Sequence, residues 1–434
     1  MIYNSKISCI CVFPFPCQAL LSQFERSGFM VRSAVKRNDL RVLILCWATY
    51  SVAYLCRLNF ASALTKISSG LDISHELLGI IPSAYFVVYA IGQLLNGFIG
   101  DRVNPYRYIF IALCITASAN FFISLSTSYF QILIFWSING FCQSMFWGSL
   151  LRLLSWNFDP SKYKTVATSM SLSSIFASIL SWSVLGTVLL DSSWQAYFFI
   201  PSLAAMLFLT FWLVLLKRNP NDSLPLAAKK SLTLKDSFRL LIADKLHFLC
   251  VLCFCLGFIK EGLAVWAPTI FMQSLGLQTE KSLLYLMVIP IANLVGLIIV
   301  RKLLSFSHEN TKKTMFLMLA GMGLSAVALV VAGAGFPALN VIFISLLTAL
   351  ANGSIWIVIS YLPLAFSARG MVSTIVGVFN FSIYLGASVA SVLLGLLLVL
   401  FGWIAIPAIW VIFSFFACVL CIGGAGTCLT KRYD

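Results

Sequence analysis

Twelve apolar segments, each 18 residues or longer, constrain this chain more than any other feature of it. They run approximately over 42–64, 78–99, 108–125, 129–151, 165–189, 194–216, 246–272, 283–304, 314–333, 338–362, 371–400 and 402–428. About 20 helical residues at ~1.5 Å each cross a hydrocarbon core about 30 Å thick. A helix also satisfies its own backbone where no water is available. The pattern predicts an all-α membrane protein with twelve transmembrane helices. Only 10% of residues are charged and 60% are hydrophobic, against roughly 25% charged in soluble domains. An ordinary water-soluble enzyme of this composition would lack the charge to cover its surface.

The charges that remain are ordered. Lys and Arg number 29 against 14 Asp and Glu. A basic excess first suggests nucleic acid, but the bases fall in short loops between apolar runs, as cytoplasmic loops require. With the N-terminus inside, Arg102, Arg107, Arg152, Lys162, Lys164, Lys217, Arg218, Arg301, Lys302, Lys312, Lys313, Arg369, Lys431 and Arg432 share one side, and the other side receives Lys66 and Lys281. Both termini are therefore expected in the cytoplasm, with the protein a monomer in the plasma (inner) membrane. The polar stretch 217–245 separates an N-terminal six-helix bundle (41–216) from a C-terminal one (246–434), and its 232–241 portion reads equally as a short interfacial helix or a solvated linker. Residues 1–40 form a tail. Within it, residues 1–29 carry Pro14 and Pro16 and lack a clean spanning run; they read as a signal-like or interfacial segment, or as lying upstream of a start at Met30.

The two bundles read as relatives. Ser74 to Pro82 (SHELLGIIP) parallels Ser282 to Pro290 (SLLYLMVIP), and Trp194 parallels Trp403, at offsets of 208 and 209 residues. Two concordant offsets point to a duplicated unit, an arrangement that in transporters places the substrate site between the repeats near mid-membrane. The 13 cysteines lie mostly inside apolar runs and His75, His247 and His308 are scattered, so the cysteines read as packing residues, and neither a metal nor a cofactor is expected.

Three charges sit deep inside the predicted spans: Arg57, Lys260 and Glu261. A charge at the centre of a membrane helix costs about 2.5–3.5 kcal/mol on insertion scales and usually faces a bundle interior. Arg57 lies 16 residues beyond Arg41 and Lys260 lies 15 beyond Lys245, which sets both roughly 22–24 Å into the membrane, one per half. With Glu261 as the one buried acid, the site keeps a net charge near +1 and suits an anion. Arg57 offers a forked donor and Lys260 a point charge. Tyr50 and Tyr54 share a helical face with Arg57. Asn59, Tyr85, Tyr89, Gln93, Gln143, Trp147, Asn293, Asn380 and Tyr384 are further polar groups on neighbouring spans, for each of which helix-to-helix hydrogen bonding is the competing role.

After the second span comes Gly97-Phe-Ile-Gly-Asp101-Arg102-Val-Asn-Pro-Tyr-Arg107. Asp101 at the carbonyl end of its own helix is badly placed and should seek the positive end of another. This loop resembles the signature of the major facilitator superfamily, Gly-x-x-x-Asp-Arg-x-Gly-x-Arg-Arg, with Asn104 at the second Gly. The resemblance implies a cytoplasmic latch onto the eleventh span through Gly97, Asp101, Arg102 and Arg107. Within that superfamily, Tyr54-Leu-Cys-Arg57-Leu-Asn59-Phe60, Gln143-Ser-Met-Phe-Trp147, the run from Lys260 to Thr269 and the run from Tyr384 to Ser391 resemble the organophosphate:phosphate antiporters, the glycerol-3-phosphate and hexose-phosphate carriers. The likeness implies that Arg57 and Lys260 clamp a phosphoryl group. There are departures: Gln93 and Ser174 stand where the glycerol-phosphate carriers have a base and a His, Ser144 and Phe146 replace glycines, and Lys260 stands for Arg.

The expected function is secondary active exchange of an organic phosphate, of glycerol-phosphate or sugar-phosphate type, for inorganic phosphate by alternating access. The expected site is Arg57, Lys260, Tyr54, Tyr50, Asn59, Tyr89, Gln93, Gln143, Trp147, Ser174 and Tyr384, with Glu261 as coupling group or counter-ion. Two rivals remain: a proton-coupled symporter of a carboxylated anion that titrates Glu261, and a transporter-like sensor of sugar phosphates. No nucleophile with an adjacent base and no nucleotide loop point to an enzyme.

Overall fold

The computed structural model describes residues 37–72, 75–183, 192–218, 242–269 and 288–430. The segment 1–29, the 232–241 portion of the linker and most of the Ser282–Pro290 repeat signal lie outside the described residues. Fourteen α-helices and no strands occur among the described residues: α1 (Arg37–Leu71), α2 (His75–Gly100), α3 (Pro105–Ser124), α4 (Tyr129–Gln143), α5 (Phe146–Asn157), α6 (Tyr163–Ser183), α7 (Ala196–Arg218), α8 (His247–Thr269), α9 (Val288–Phe306), α10 (Thr311–Ala332), α11 (Pro337–Trp356), α12 (Val372–Phe401), α13 (Ala405–Ile422) and α14 (Gly424–Thr430). The described part of each of the twelve apolar segments falls on one of these helices, on a consecutive pair or, over 357–362, on the turns that follow α11. Nine of the resulting spans are long and apolar enough by composition alone to cross a membrane. Their outer faces leave Val87, Ile111, Leu207, Leu324, Ile412 and Val419 exposed, an apolar girdle that lipid rather than water would cover.

Three spans depart from simple rods. The segment expected over 129–151 divides into α4 and α5. The Ser144 hydroxyl donates to the Phe141 carbonyl at 2.5 Å, and the amides of Ser144 and Met145 turn to i−3 carbonyls, so the ladder tightens into one 3₁₀-like turn there. The tenth span continues past α11 as a π turn at Ile357–Tyr361 and a 3₁₀ turn at Leu362–Phe366, and the twelfth breaks at Gly423 between α13 and α14. At the other end of the chain, α1 begins at Arg37, inside the expected tail.

The helices group as α1–α7 and α8–α14, two six-span bundles. Two seams join them. Along one, α2 packs closely on α12; along the other, α6 meets α9 and the end of α11 over a shorter stretch. A shift of 208 residues carries α2 onto α9, and a shift of 209 carries α6 onto α12, so the internal repeat exchanges the two seams. The α2–α3, α5–α6, α9–α10 and α11–α12 turns share one end of the molecule. That end, here termed the basic face, holds Arg102, Arg107, Lys162, Lys164, Lys302, Lys312, Lys313 and Arg369.

Candidate functional site

Arg57 sits near the middle of α1. Tyr50 and Tyr54 lie seven and three residues before it, on the same helical face. Their rings are 4.8 Å apart, and Tyr50 lies another 4.8 Å from the Trp147 ring of α5. The guanidinium stands 4.6 Å over the Tyr89 ring, with Tyr54 at 5.5 Å and Tyr85 at 5.9 Å. It donates through Nη1 to the Tyr89 hydroxyl at 3.3 Å and through Nη2 to the Tyr384 hydroxyl at 3.0 Å. Aromatic faces hold a cation in place without neutralising it, and Arg57 forms no ion pair among the described residues. On α8, Lys260 donates to Glu261 Oε1 at 2.6 Å. Adjacent helical residues point about 100° apart, so this pair closes only by bending two long side chains toward each other. Glu261 is thus the direct ion-pair partner of Lys260, while the direct contacts of Arg57 are neutral phenols and ring faces.

Both cations line a single cavity of about 200 Å³ between the bundles. Tyr50, Tyr54, Tyr89, Trp147, Ser174, Glu261 and Tyr384 line it too, as do Asn293 and Asn380. That volume is below the ~300–1,000 Å³ of sites for drug-sized ligands and limits an occupant to a small metabolite. Among the described residues, Arg57, Lys260 and Glu261 are its charged lining residues, which leaves one net positive charge.

Three residues expected at the site stand outside the lining. Asn59 is fully buried and donates to Asn120 Oδ1 at 2.7 Å and to the Tyr197 carbonyl at 3.1 Å. Gln143 donates to the Ala53 carbonyl at 2.9 Å. Gln93 accepts from Asn380 at 3.2 Å across the α2–α12 seam and keeps Nε2 unpartnered. All three tie helix to helix, because an amide in an apolar bundle costs free energy until it is hydrogen-bonded.

The Gly97–Arg107 loop meets the start of α12. Asp101 Oδ1 accepts from the Ser373 amide at 2.9 Å and Oδ2 from the Thr374 amide at 2.6 Å. These are first-turn donors that α12 leaves open, since its N-cap Met371 offers no side-chain acceptor. Arg152 lies 3.8 Å from Asp101 and donates to the carbonyls of Gly100 and Val103. Burial is the largest influence on Asp101 and pushes its carboxyl up to about 6, against the lowering effect of these donors and of Arg152. Arg102 turns back to the Phe98 carbonyl and Arg107 is exposed. Gly97 permits the contact, because a Cβ there would lie 2.8 Å from Gly377 Cα.

Arg152 had read as an ordinary loop base, since its role depends on a loop 50 residues earlier. Ser171, Ser178, Asn352, Trp356 and Ser360 also line the cavity; small polar residues on apolar spans carried no signal that separated them from packing. Pro363 did carry one. Lacking an N–H, it cannot donate to the Ile359 carbonyl four residues back, and the Trp147 indole of the other bundle donates to that carbonyl at 3.1 Å instead.

Comparison with known proteins agrees with this architecture. The family model described as Major Facilitator Superfamily matches residues 46–311. A glycerol-3-phosphate transporter of Bacillus subtilis is 25% identical over 398 residues, covering 86% of this chain and 88% of that protein. A probable hexose phosphate transport protein of Chlamydia trachomatis is 28% identical over 199 residues, covering 46% of this chain and 43% of that one. Among solved structures, the proton:xylose symporter XylE bound to 6-bromo-6-deoxy-D-glucose superposes with a TM-score of 0.68 at 14% identity, covering 88% of this chain and 94% of that chain. This last likeness is one of fold.

Proposed function

We propose that this chain, which belongs to the major facilitator superfamily, exchanges an organic phosphate for inorganic phosphate by alternating access. The observation that carries the reading is the Arg57 guanidinium, caged by aromatic rings, without an ion-pair partner among the described residues, and facing the same cavity as Lys260. Phenol oxygens are neutral acceptors. A phosphate oxygen adds an opposite formal charge that a phenol lacks and matches the guanidinium fork, so an arriving phosphoryl group displaces Tyr89 and Tyr384. Tyr384 belongs to the opposite bundle, so this exchange of partners also removes a tie across the seam. Lys260 can turn from Glu261 toward the anion without leaving the cavity. The glycerol-3-phosphate and hexose phosphate transporters among its relatives support a phosphorylated cargo.

The same electrostatics favours exchange. An empty cavity bearing net positive charge resists occlusion, because closure strips water from an uncompensated ion; a bound anion removes that penalty in each direction of travel. The excess of Lys and Arg assigns the basic face, and with it the Asp101 latch, to the cytoplasm of a plasma-membrane transporter. In proteoliposomes loaded with phosphate, Arg57→Ala should reduce phosphate counterflow at least thirtyfold, the loss expected when a buried charge contact worth about 2–5 kcal/mol is deleted. Counterflow retained at the wild-type rate in that variant would refute the clamp.

A further inference from the structure

The wall of the cavity away from Arg57 has its own chemistry. Ser171, Ser174 and Ser178 lie at i, i+3 and i+7 on α6, a row about 10 Å long on one helical face, and all three line the cavity. Their protons are largely committed: Ser174 Oγ donates to the Ser171 carbonyl and Ser178 Oγ to the Ser174 carbonyl, each at 2.8 Å, while Ser171 and Ser360 share one hydrogen bond at 3.1 Å across the seam. A hydroxyl that has spent its proton on its own helix offers only lone pairs elsewhere. Across from this row, Asn293 Oδ1 is a buried acceptor without a partner and Trp356 Nε1 a buried donor without one, and both residues line the cavity. The Asn352 amide is already used on the Asn293 carbonyl at 2.9 Å.

We infer that α6, α9 and α11 form a polyol subsite, so that the preferred cargo is a sugar phosphate whose hydroxylated chain runs along the Ser171–Ser178 row. The inference rests on the phosphate reading above, which fixes the anionic end at Arg57. A wall dominated by acceptors needs O–H donors from its occupant, and an apolar tail would leave those acceptors without a partner. A second phosphate or carboxylate would meet lone pairs along this row, since the cavity's cations among the described residues are Arg57 and Lys260. A three-carbon ester anchored at Arg57 can address only part of a row this long.

The test uses the full chain in liposomes loaded with labelled inorganic phosphate, with external inorganic phosphate, glycerol phosphate, hexose 6-phosphate, hexyl phosphate and aminoethyl phosphate as competing substrates. Hexose 6-phosphate should drive exchange at concentrations at least about tenfold lower than glycerol phosphate or hexyl phosphate. The pair Ser174→Ala and Ser178→Ala should shrink the hexose-to-phosphate affinity ratio about tenfold, equivalent to ~1.4 kcal/mol. The hexyl ester isolates the hydroxyls without any substitution in the protein. Phosphate exchange with no preference for the hexose ester, or with preference for the aminoethyl ester, overturns the polyol subsite and leaves the phosphate reading standing. Absence of exchange with every phosphate compound brings both down.

Discussion

At the α2–α12 seam Gly97 and Gly377 bring two backbones together, and Asp101 closes the end by capping the first turn of α12. At the α6–α9 seam serines face an open cavity, and the tie at the basic face is the pair from Lys164 to Glu309 at 2.6 Å, with Ser305 at 2.8 Å. The repeat makes these two places equivalent, and the 208-residue offset carries Asp101 onto Glu309. Yet Asp101 is buried against helix amides while half of the Glu309 side chain is exposed. His308 and Glu309 also take positive φ values of 52° and 62°, a backbone cost that presents the acid to Lys164. Duplication supplied two seams of the same topology. Small residues and a buried cap made one a close joint, and small polar residues left the other with room for cargo.

The comparison breaks most severely at Gly377. In Gly377→Leu the new side chain meets the Gln93 carbonyl, a backbone atom that cannot step aside. Overpacking of this kind costs about 1–3 kcal/mol, so the latched population should fall about five- to 150-fold, read as inter-label distances across the basic face. A latched fraction equal to wild type would mean that the glycines do not set the seam.

Asp101→Asn should have the next largest effect. It keeps the shape but puts an Nδ2–H₂ donor where a carboxyl oxygen accepted from an α12 amide, leaving that amide unpaired at about 1–2 kcal/mol, which is a five- to thirtyfold loss of latched protein. The same residue predicts a pH dependence. Because its carboxyl is raised in the latched form, that form binds the proton more tightly than a released Asp with a pKa near 3.9. The proton's contribution to latching is complete below about 4 and is lost as pH rises through about 6. Acidification from pH 7 to 5 should therefore enrich the latched state in wild type and have no such effect in Asp101→Asn; an identical pH response in both would remove Asp101 from the switch.

Lys164→Ala should matter least. Exposed ion pairs contribute about 0.2–1 kcal/mol, so transport should change by less than about fivefold, and high salt should reproduce the change in wild type. An effect as large as that of Asp101→Asn would dissolve the distinction between the seams.

The span count, the six-and-six division and the intramembrane charges Arg57, Lys260 and Glu261 were legible because the bilayer imposes rules on single segments: length, apolarity and the expense of charge. The charge arithmetic of the cavity was also legible, since two cations and one acid leave one positive charge however they pair. Which cation Glu261 would join was not, because it depends on rotamers that meet only once α1, α8 and α12 surround the same space. Asn59, Gln93 and Gln143 show the same limit. An amide on an apolar span signals that it needs a partner but not whether that partner is a ligand or the next helix.

The sequence by itself determined that this chain crosses a membrane many times as a duplicated bundle and carries uncompensated positive charge in its interior, because lipid admits few other solutions to its apolar runs. Only the tertiary structure decided where that charge resides, which seam closes and which polar residues face the cavity. Those outcomes depend on atoms from helices hundreds of residues apart coming within hydrogen-bond distance, and helical periodicity encodes only which face a residue occupies.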